Sequence, residues 1–367
     1  MNVLIPYSTR EVTADTSYSV PRLVYFLCRE LQQNGINVFC YSFSGSVLPL
    51  QSGIEYVSLP LVHKAITKFD KKHKKLYFNE YVHKRSKDKN IDFVICCTFD
   101  SFEYFMGRYP DEKIIYWAHN YPPRSAIDQF LGYASRRKFI LTTPSRNLYT
   151  RLWNELNPDT LSFFYKHIPN TALPASVSSS IAKISDRYNF EFKSRINFIH
   201  ISGGQLNKGL HIIKKIFSML PGDLPINFIY TGKEFTVERR GNVCIIEMPR
   251  MPYSELIELY RIADFGVMSS IWFETAPLAL HEMLDNKVIP IITRSGGMEE
   301  IIADSKCFLI SRPNDIDEWN DTISKCCLLD EHEISKIKES NHAIYNASKL
   351  NTGQWGKIWT DFLNAIK

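Results

Sequence analysis

Residues 269–300 read SSIWFETAPLALHEMLDNKVIPIITRSGGMEE, and the order of their elements decides the fold. A short apolar strand ends at Ser269 and Ser270, an acidic residue and a turn follow, and Pro277 stands where a helix would begin. A second apolar run, 288–292, leads into a loop with two adjacent glycines. A strand, a helix and a second strand in this order predict a parallel β-α-β unit.

The same alternation extends over the rest of the chain. Short apolar runs predict strands at 3–7, 37–42, 56–59, 92–97, 114–118, 139–143, 196–201, 226–230, 243–247, 265–268, 288–292 and 308–310. Amphipathic stretches predict helices at 21–33, 64–88, 146–155, 209–220, 253–261, 277–284, 298–302 and 316–328, with a helical tail from 331. Continuous apolar strands between such helices predict parallel sheets that are covered on both faces.

Length and composition predict a folded chain of two domains. The chain has 367 residues, of which 44% are hydrophobic and 23% are charged. Residues 171–194 are small, polar and rich in Ser, which indicates a linker between the domains. No apolar run approaches the roughly 18 residues of a spanning helix. The start, MNVLIPYSTREV, lacks the regions of a signal peptide, so we expect a cytoplasmic protein.

The eight Cys show no metal-ligand spacing, and most lie in apolar runs such as FVICC. They are therefore expected to be buried, reduced thiols. An Asp-x-Asp triplet, Asp315 to Asp317, stands at the start of a predicted helix, where a helix cap is the simpler interpretation than a metal clamp. The sequence predicts no metal site and no cofactor.

The net charge of +5 is concentrated in residues 64–89, which hold ten Lys or Arg against three acids. One interpretation is a solvated helix face. A second is an anionic membrane surface, because apolar side chains are interleaved with the charges, namely Phe69, Leu76, Tyr77, Phe78 and Tyr81. No nucleic-acid motif accompanies the charge, so nucleic acid is not an expected partner.

Two acids flank the start of the helix predicted at 277–284. Glu274 precedes it and Glu282 lies one to two turns inside it. Backbone N–H groups at a helix start are unpaired and favour a phosphate, and a carboxylate accepts hydrogen bonds from sugar hydroxyls. The later loop, Ser295-Gly296-Gly297, allows backbone to approach a ligand closely. By spacing alone, the two acids could equally be solvated residues of a helix terminus.

A second glycine-containing loop, SGGQLNKG at 202–209, follows the predicted strand 196–201. Its backbone amides could hold a phosphate and Lys208 could add a positive charge, although an ordinary turn has the same composition. It lacks the spacing and the Lys-Ser/Thr ending of a Walker loop.

Together these segments resemble retaining glycosyltransferases of the GT-B fold, specifically glycosyltransferase family 4. The resemblance covers essentially the whole chain and is strongest from 196 to 302. The Glu-x7-Glu motif of that family falls on Glu274 and Glu282, and its Lys-Gly pair falls on Lys208 and Gly209. In the first half, YWAHN resembles the strand that ends in a histidine, here His119.

The resemblance implies an α/β fold with two Rossmann-like domains whose parallel sheets face a central cleft. It implies an acceptor-binding domain at 1–172, a nucleotide-sugar-binding domain at 173–345, and a C-terminal helix at 346–367 that packs back on the first domain. The implied reaction is transfer of a sugar from a nucleoside diphosphate, UDP or GDP, to a hydroxyl of a saccharide or lipid-linked saccharide. WFETAPLALHE resembles members that build surface polysaccharides such as O antigen, capsule or lipopolysaccharide.

The resemblance also implies roles for individual residues. Lys208 would hold the donor diphosphate, Glu282 the ribose and Glu274 the hydroxyls of the donor sugar. His119 would lie near the anomeric carbon, so the implied catalytic residues are His119, Glu274 and Lys208. The implied donor-binding residues are Ser202, Gly203, Gly204, Lys208, Arg250, Met251, Glu274, Ala276, Pro277, Leu278, Ala279 and Glu282.

Three departures from the family pattern stand out. Gln205 lies in the stretch where an Arg is usual, so less positive charge would face the diphosphate. STREVTADTSYSVP, 8–21, replaces a glycine-rich loop, and Arg10 is a candidate substitute as a phosphate or acceptor contact. Ala276-Pro277 replaces the usual Phe-Gly. A catalytically inactive GT-B-like binding subunit, and a GT-B sugar phosphorylase or epimerase, therefore remain alternatives.

Overall fold

The computed structural model describes residues 1–10, 12–16, 18–43, 54–57, 71–121, 124–156, 164–174, 184–188, 190, 192, 195–201 and 205–367. The chain divides into two compact units. The first is Met1–Leu173 together with Leu350–Lys367, and the second is Pro174–Lys349. The first segment of the first unit ends at 173, where the prediction was 172. The second unit ends at 349, where the prediction was 345.

The first unit has a seven-stranded sheet in which all the paired strands are parallel. Its strands are β1 Asn2–Tyr7, β2 Asn37–Phe43, β3 Ile54–Val57, β4 Phe93–Cys96, β5 Ile114–Trp117, β6 Ile140–Thr143 and β7 Phe164–His167. The order β3-β2-β1-β4-β5-β6-β7 reverses direction between β1 and β4, as in a Rossmann sheet. Its helices are α1 Ser19–Gln33, α2 Lys71–Ser86, α3 Phe99–Phe105, α4 Arg124–Ala134 and α5 Arg146–Leu156.

The second unit repeats this architecture. After the short helix α6 Ile184–Tyr188, its strands are β8 Ile196–His200, β9 Ile226–Gly232, β10 Thr236–Arg240, β11 Val243–Pro249, β12 Phe265–Met268, β13 Ile289–Thr293 and β14 Phe308–Ile310. Its helices are α7 Leu210–Met219, α8 Tyr253–Ile262, α9 Leu278–Asp285, α10 Met298–Ile302, α11 Ile316–Cys327 and α12 Glu331–Ser348. The order is β10-β11-β9-β8-β12-β13-β14, and β10 pairs antiparallel at the edge.

The C-terminal helix α13, Thr352–Ala365, belongs to the first unit. Its Trp355 and Trp359 are fully buried, and the ring of Trp359 lies 5.0 Å from that of Trp117 at the end of β5. Gly356 allows close contact with α1, since a Cβ there would lie 2.4 Å from the Cβ of Glu30. The predicted α/β fold with a returning helix is confirmed.

Several elements differ from the sequence prediction. β7 and β10 were not predicted, because both are edge strands without a buried side chain and therefore lack the buried apolar run of a central strand. Helices α3 and α4 were also missed. The predicted linker contains α6, and the predicted helical tail breaks near Lys349, where Asn351 starts α13 with a capping box. Residues 64–70 of the predicted basic helix lie outside the described residues.

Local signals of the sequence explain where several helices begin and end. Gly35, with φ of +79°, follows the cap of α1, and Ser145 caps α5 by accepting from the N–H of Leu148 at 3.2 Å. All eight cysteines are free thiols, six of them buried. Among the described helices, none has the length and apolar character needed to cross a membrane.

Candidate functional site

The strand order of the second unit brings two loops together. β8 and β12 are neighbours at the point where the order reverses, so the loops that follow them leave the same edge of the sheet side by side. This is the position at which open α/β sheets bind ligands. Lys208 lies in the loop after β8 and Glu274 in the loop after β12.

An ion pair joins these loops. The ammonium nitrogen of Lys208 lies 2.5 Å from Oε1 of Glu274. The Glu274 side chain is 7% exposed and that of Lys208 is 28% exposed, so water screens this pair less than a surface pair. Two groups predicted from separate motifs therefore contact each other directly.

A second donor holds the same carboxylate oxygen. The hydroxyl of Ser270 donates to Oε1 of Glu274, and the hydroxyl of Thr293 donates to the carbonyl of Ser270 at 2.8 Å. Ser270 and Glu274 are both buried. Because both donors meet Oε1, Oε2 is used by neither of them.

Backbone contacts fix the two loops on each other. Gly209 has φ of +72°, and a Cβ at this position would lie 2.0 Å from the carbonyl oxygen of Ser269. The Ser269 hydroxyl donates to the carbonyl of Lys208 at 2.9 Å, and the N–H of Ile271 donates to the carbonyl of Asn207 at 3.1 Å. Glycine is required here both by its φ and by the close approach.

The glycine loop after β13 holds the other side of the Glu274 backbone. Gly296 has φ of +65°, and a Cβ there would lie 1.8 Å from the carbonyl oxygen of Glu274. The N–H of Gly297 donates to that same carbonyl at 2.7 Å. The Ser295 hydroxyl donates to the carbonyl of Trp272 at 2.5 Å. The loop predicted to approach a ligand thus approaches the Glu274 backbone.

Helix α9 begins just after Glu274. Pro277 is its cap rather than its first residue, a shift of one position from the prediction, and Leu278 is the first helical residue. Glu282, the fifth residue of the helix, is 3% exposed, and its Oε2 accepts from the hydroxyl of Tyr260 at 2.9 Å. Ala276 and Leu278 are buried, and Ala279 and Pro277 are half-buried.

The other predicted donor-binding residues of the second unit differ in their exposure. Arg250 is exposed, whereas the side chain of Met251 is 6% exposed and belongs to the core cluster under α8. A contact of a ligand with Met251 would therefore involve its backbone. Ser202, Gly203 and Gly204 lie outside the described residues.

His119 and Arg10 belong to the first unit. His119 follows β5 and is 6% exposed, with its ring 4.1 Å from that of Trp117. Burial lowers the pKa of His119 to about 3, so the imidazole is neutral near pH 7. Arg10 is exposed and its guanidinium lies 3.7 Å over the ring of Tyr18.

The side chains of the basic segment are described from 74 to 89, and the apolar ones among them differ in exposure. Phe78 is fully buried, whereas Leu76 is 49% exposed. Lys75 pairs with Asp100 at 2.5 Å. The described part of this segment therefore exposes its charges together with a smaller apolar area.

The Asp-x-Asp triplet has a structural role. Asp315 caps α11, where its carboxylate accepts from the N–H groups of Asp317 and Glu318, as predicted. Within the described residues, no three His, Cys, Asp or Glu side chains are grouped as a metal site.

The sequence predicts no side-chain contact for Tyr260, Ser270 and Ser295, although Ser295 is named there as part of the glycine loop. Ser270 lies in the quoted segment and could have been suspected as a hydroxyl donor beside an acid. Tyr260 lies 22 residues before Glu282 on another helix, and a single sequence carries no signal for that contact.

A family model decides the class of enzyme. Residues 190–350 match the model described as glycosyl transferases group 1. The chain is a glycosyltransferase. The matched residues cover most of the second unit, which carries Lys208, Glu274 and Glu282. A comparison with curated protein sequences gives no match.

Solved structures of similar fold support the same architecture for this glycosyltransferase. Sucrose-phosphate synthase from Thermosynechococcus elongatus matches with a TM-score of 0.77 and 12% identity over 99% of each chain. Anabaena HepE in complex with UDP and glucose matches with a TM-score of 0.71 and 14% identity over 100% of each chain. Trehalose 6-phosphate synthase from Burkholderia multivorans matches with a TM-score of 0.68 and 11% identity, over 100% of this chain and 98% of that one. At these identities, the likeness shows the GT-B fold.

Proposed function

We propose that this glycosyltransferase belongs to family 4 and transfers a hexose-type sugar from a nucleoside diphosphate to a hydroxyl, with retention of the anomeric configuration. The observation that carries the proposal is the ion pair of Lys208 and Glu274 at the switch point of the second sheet. A cation and a carboxylate held together there offer one partner for a diphosphate and one for sugar hydroxyls.

The donor is proposed to be a UDP-sugar or a GDP-sugar. Anabaena HepE, whose fold is similar, was solved with UDP and with UDP-glucose, which favours UDP as the first donor to examine. In this proposal Lys208 contacts the diphosphate, Glu274 the sugar hydroxyls and Glu282 the ribose. The remaining donor contacts would come from 202–204, 250–251 and 276–279.

The chemistry needs negative charge to be stabilised as the diphosphate leaves. Lys208 and the backbone N–H groups at the start of α9 would supply that stabilisation from fixed positions. The proposal therefore includes no obligatory metal ion. Glu274 would bind sugar hydroxyls, and the proposal gives it no role as a nucleophile.

His119 would act through a neutral imidazole. Its pKa of about 3 means that the ring offers one N–H donor and one acceptor rather than a positive charge. It would therefore position the sugar or the acceptor hydroxyl. Arg10, which is exposed in the loop after β1, would contact a phosphate or the acceptor.

The acceptor is proposed to be a saccharide or a lipid-linked saccharide of surface-polysaccharide assembly. The reaction would take place in the cytoplasm at the inner face of the membrane. Support comes from the basic residues of α2, whose exposed Leu76 could insert beside anionic headgroups.

The test of this function combines a donor screen with product analysis. The full chain is mixed with UDP-, GDP- and other nucleotide sugars, and its Tm is measured, because a ligand that binds the folded state raises it. The stabilising donor is then incubated with saccharide acceptors, and the anomeric configuration of the product is read by NMR. Retention with release of nucleoside diphosphate is expected.

Other outcomes would refute the proposal. Donor binding without transfer or hydrolysis would favour an inactive binding subunit. Release of sugar 1-phosphate that depends on added phosphate would indicate a phosphorylase, and an epimerised donor without an acceptor would indicate an epimerase. An inverted product would contradict the retaining mechanism.

A further inference from the structure

Glu282 is a buried carboxylate on α9 of the second unit. It lies in the middle of α9, is 3% exposed, and is followed by the fully buried Met283 and Leu284. A carboxylate removed from water is costly unless hydrogen-bond donors satisfy it. Its environment must therefore supply donors from fixed positions.

Tyr260 supplies one of these donors. Its hydroxyl lies 2.9 Å from Oε2 of Glu282. The Tyr260 ring is fully buried on α8, in the same core cluster as Leu280 and Met283. Because the ring is packed on all sides, its hydroxyl has a fixed position from which to orient the carboxylate.

We propose that Tyr260 is the positioning residue for ribose recognition, because its hydroxyl fixes the plane of the Glu282 carboxylate that receives the ribose hydroxyls. This inference rests on the proposed function, in which Glu282 binds the ribose. Two vicinal hydroxyls can bind one carboxylate well when its plane is already set, since no side-chain freedom is then lost on binding. Tyr260 itself does not contact the donor.

The chain contains a matched control, a tyrosine of α12 whose hydroxyl also contacts α9. Tyr345 is buried to a similar degree, and its hydroxyl lies 2.8 Å from Nδ1 of His281, the residue that precedes Glu282. Tyr260→Phe and Tyr345→Phe each remove one hydroxyl that holds α9 and keep the aromatic ring. They differ in the residue that the hydroxyl contacts: Tyr260 contacts Glu282, the proposed ribose-binding residue, and Tyr345 contacts His281.

The experiment measures the affinity of the full chain for UDP and for 2′,3′-dideoxy-UDP, and in the same way for GDP and its dideoxy form, by calorimetry. The readout is the Kd of the dideoxy nucleotide divided by the Kd of the ribose nucleotide. This ratio reports the contribution of the ribose hydroxyls separately from a general loosening of the protein. The unchanged chain should prefer the ribose form by at least about tenfold, the effect of hydrogen bonds to a charged group. Tyr260→Phe should lower that ratio about fivefold or more, and Tyr345→Phe should leave it within about twofold.

Glu282→Gln distinguishes the proposed binding of the ribose by Glu282 from the proposed positioning role of Tyr260. If it lowers the ratio while Tyr260→Phe does not, Glu282 binds the ribose but the positioning role of Tyr260 is wrong. If Tyr345→Phe lowers the ratio as much as Tyr260→Phe, the effect comes from α9 as a whole and the inference is also wrong. If Glu282→Gln leaves the ratio unchanged, or neither nucleotide binds, the proposed function of the site fails. Thermal unfolding of each variant verifies that the second unit is folded.

Discussion

Lys208 and Glu274, 66 residues apart in the chain, share an ion pair that links the loops after two neighbouring strands. Each loop is fixed at the backbone by a glycine with positive φ, Gly209 on one side and Gly296 on the other. The position of the pair is thus set by the fold of the second unit and not by two flexible side chains alone. Such preorganisation is what electrostatic stabilisation of a leaving group requires.

Gly296→Ala should destabilise the second unit. The new Cβ would lie 1.8 Å from the carbonyl oxygen of Glu274 in a backbone with φ of +65°, so the loop must move. We expect a loss of about 1–3 kcal/mol in the free energy of unfolding. Donor affinity should fall as well, because Glu274 moves with the loop. Gly107→Ala, at a position with open space, is the control and should change stability little. Equal denaturation midpoints for both variants would contradict this packing.

Ser270→Ala should reduce transfer more than it reduces stability. The variant removes the hydroxyl that donates to Oε1 of Glu274 and leaves Lys208 in place. We expect kcat/KM to fall about tenfold, the effect of one hydrogen bond to a charged group. Ser218→Ala changes a half-buried serine of α7 whose hydroxyl donates to the carbonyl of Lys215, and it is the control in the same steady-state assay. An unchanged kcat/KM for Ser270→Ala would mean that this hydroxyl does not position Glu274.

Folding stability should fall as the pH drops below about 6.5. Burial lowers the pKa of His200 from 6.5 to about 4, and that of His281 likewise to about 4. Between pH 6.5 and about 4 the unfolded chain binds a proton at each of these histidines and the folded chain does not. The free energy of unfolding therefore rises with pH across this window, and the stability that the neutral histidines contribute is lost as the pH falls through it. Each histidine contributes a slope of up to about 1.4 kcal/mol per pH unit.

The pH effect is measured as the urea midpoint between pH 4.5 and 7.5. His281→Gln removes one titrating group and should give a shallower dependence than the unchanged chain, whatever its absolute stability. His332→Gln, on the exposed start of α12, is the control and should keep the original slope. Parallel curves for all three proteins would show that His281 is not buried in its neutral form.

Much of the fold could be predicted from residue periodicity, because buried parallel strands are continuous apolar runs and their helices carry caps such as Asp315. The edge strands β7 and β10 could not, since their side chains are largely exposed. Candidate site residues could be named from the sequence where one segment holds several of them, as with Glu274 and Glu282. The contact of Tyr260 with Glu282 depends on how α8 packs against α9, and local sequence does not encode it.

Leu76→Glu should weaken association with anionic vesicles. Leu76 is 49% exposed among the basic residues of α2, so the change adds charge to the surface without altering the core. In flotation with vesicles that contain phosphatidylserine, we expect salt-sensitive binding of the unchanged chain and a several-fold loss in the variant. Leu328→Glu alters a residue that is 83% exposed in the second unit and should bind as the unchanged chain does. No binding of the unchanged chain would remove the membrane from the proposal.

The most direct measurement is kcat/KM for sugar transfer in Lys208→Met and Glu274→Gln. The controls are Lys349→Met, whose ammonium pairs with Asp285 and is similarly exposed at 27%, and Glu339→Gln, from the exposed pair with Lys287. We predict a fall of about 100-fold or more for Lys208→Met, the scale of a lost electrostatic contact to a leaving group. For Glu274→Gln we predict a fall of about tenfold or more, the scale of lost hydrogen bonds to a charged group, and both controls should stay within about twofold of the unchanged chain. If the site variants also stay within about twofold, this ion pair does not hold the sugar nucleotide and the account of the site is wrong.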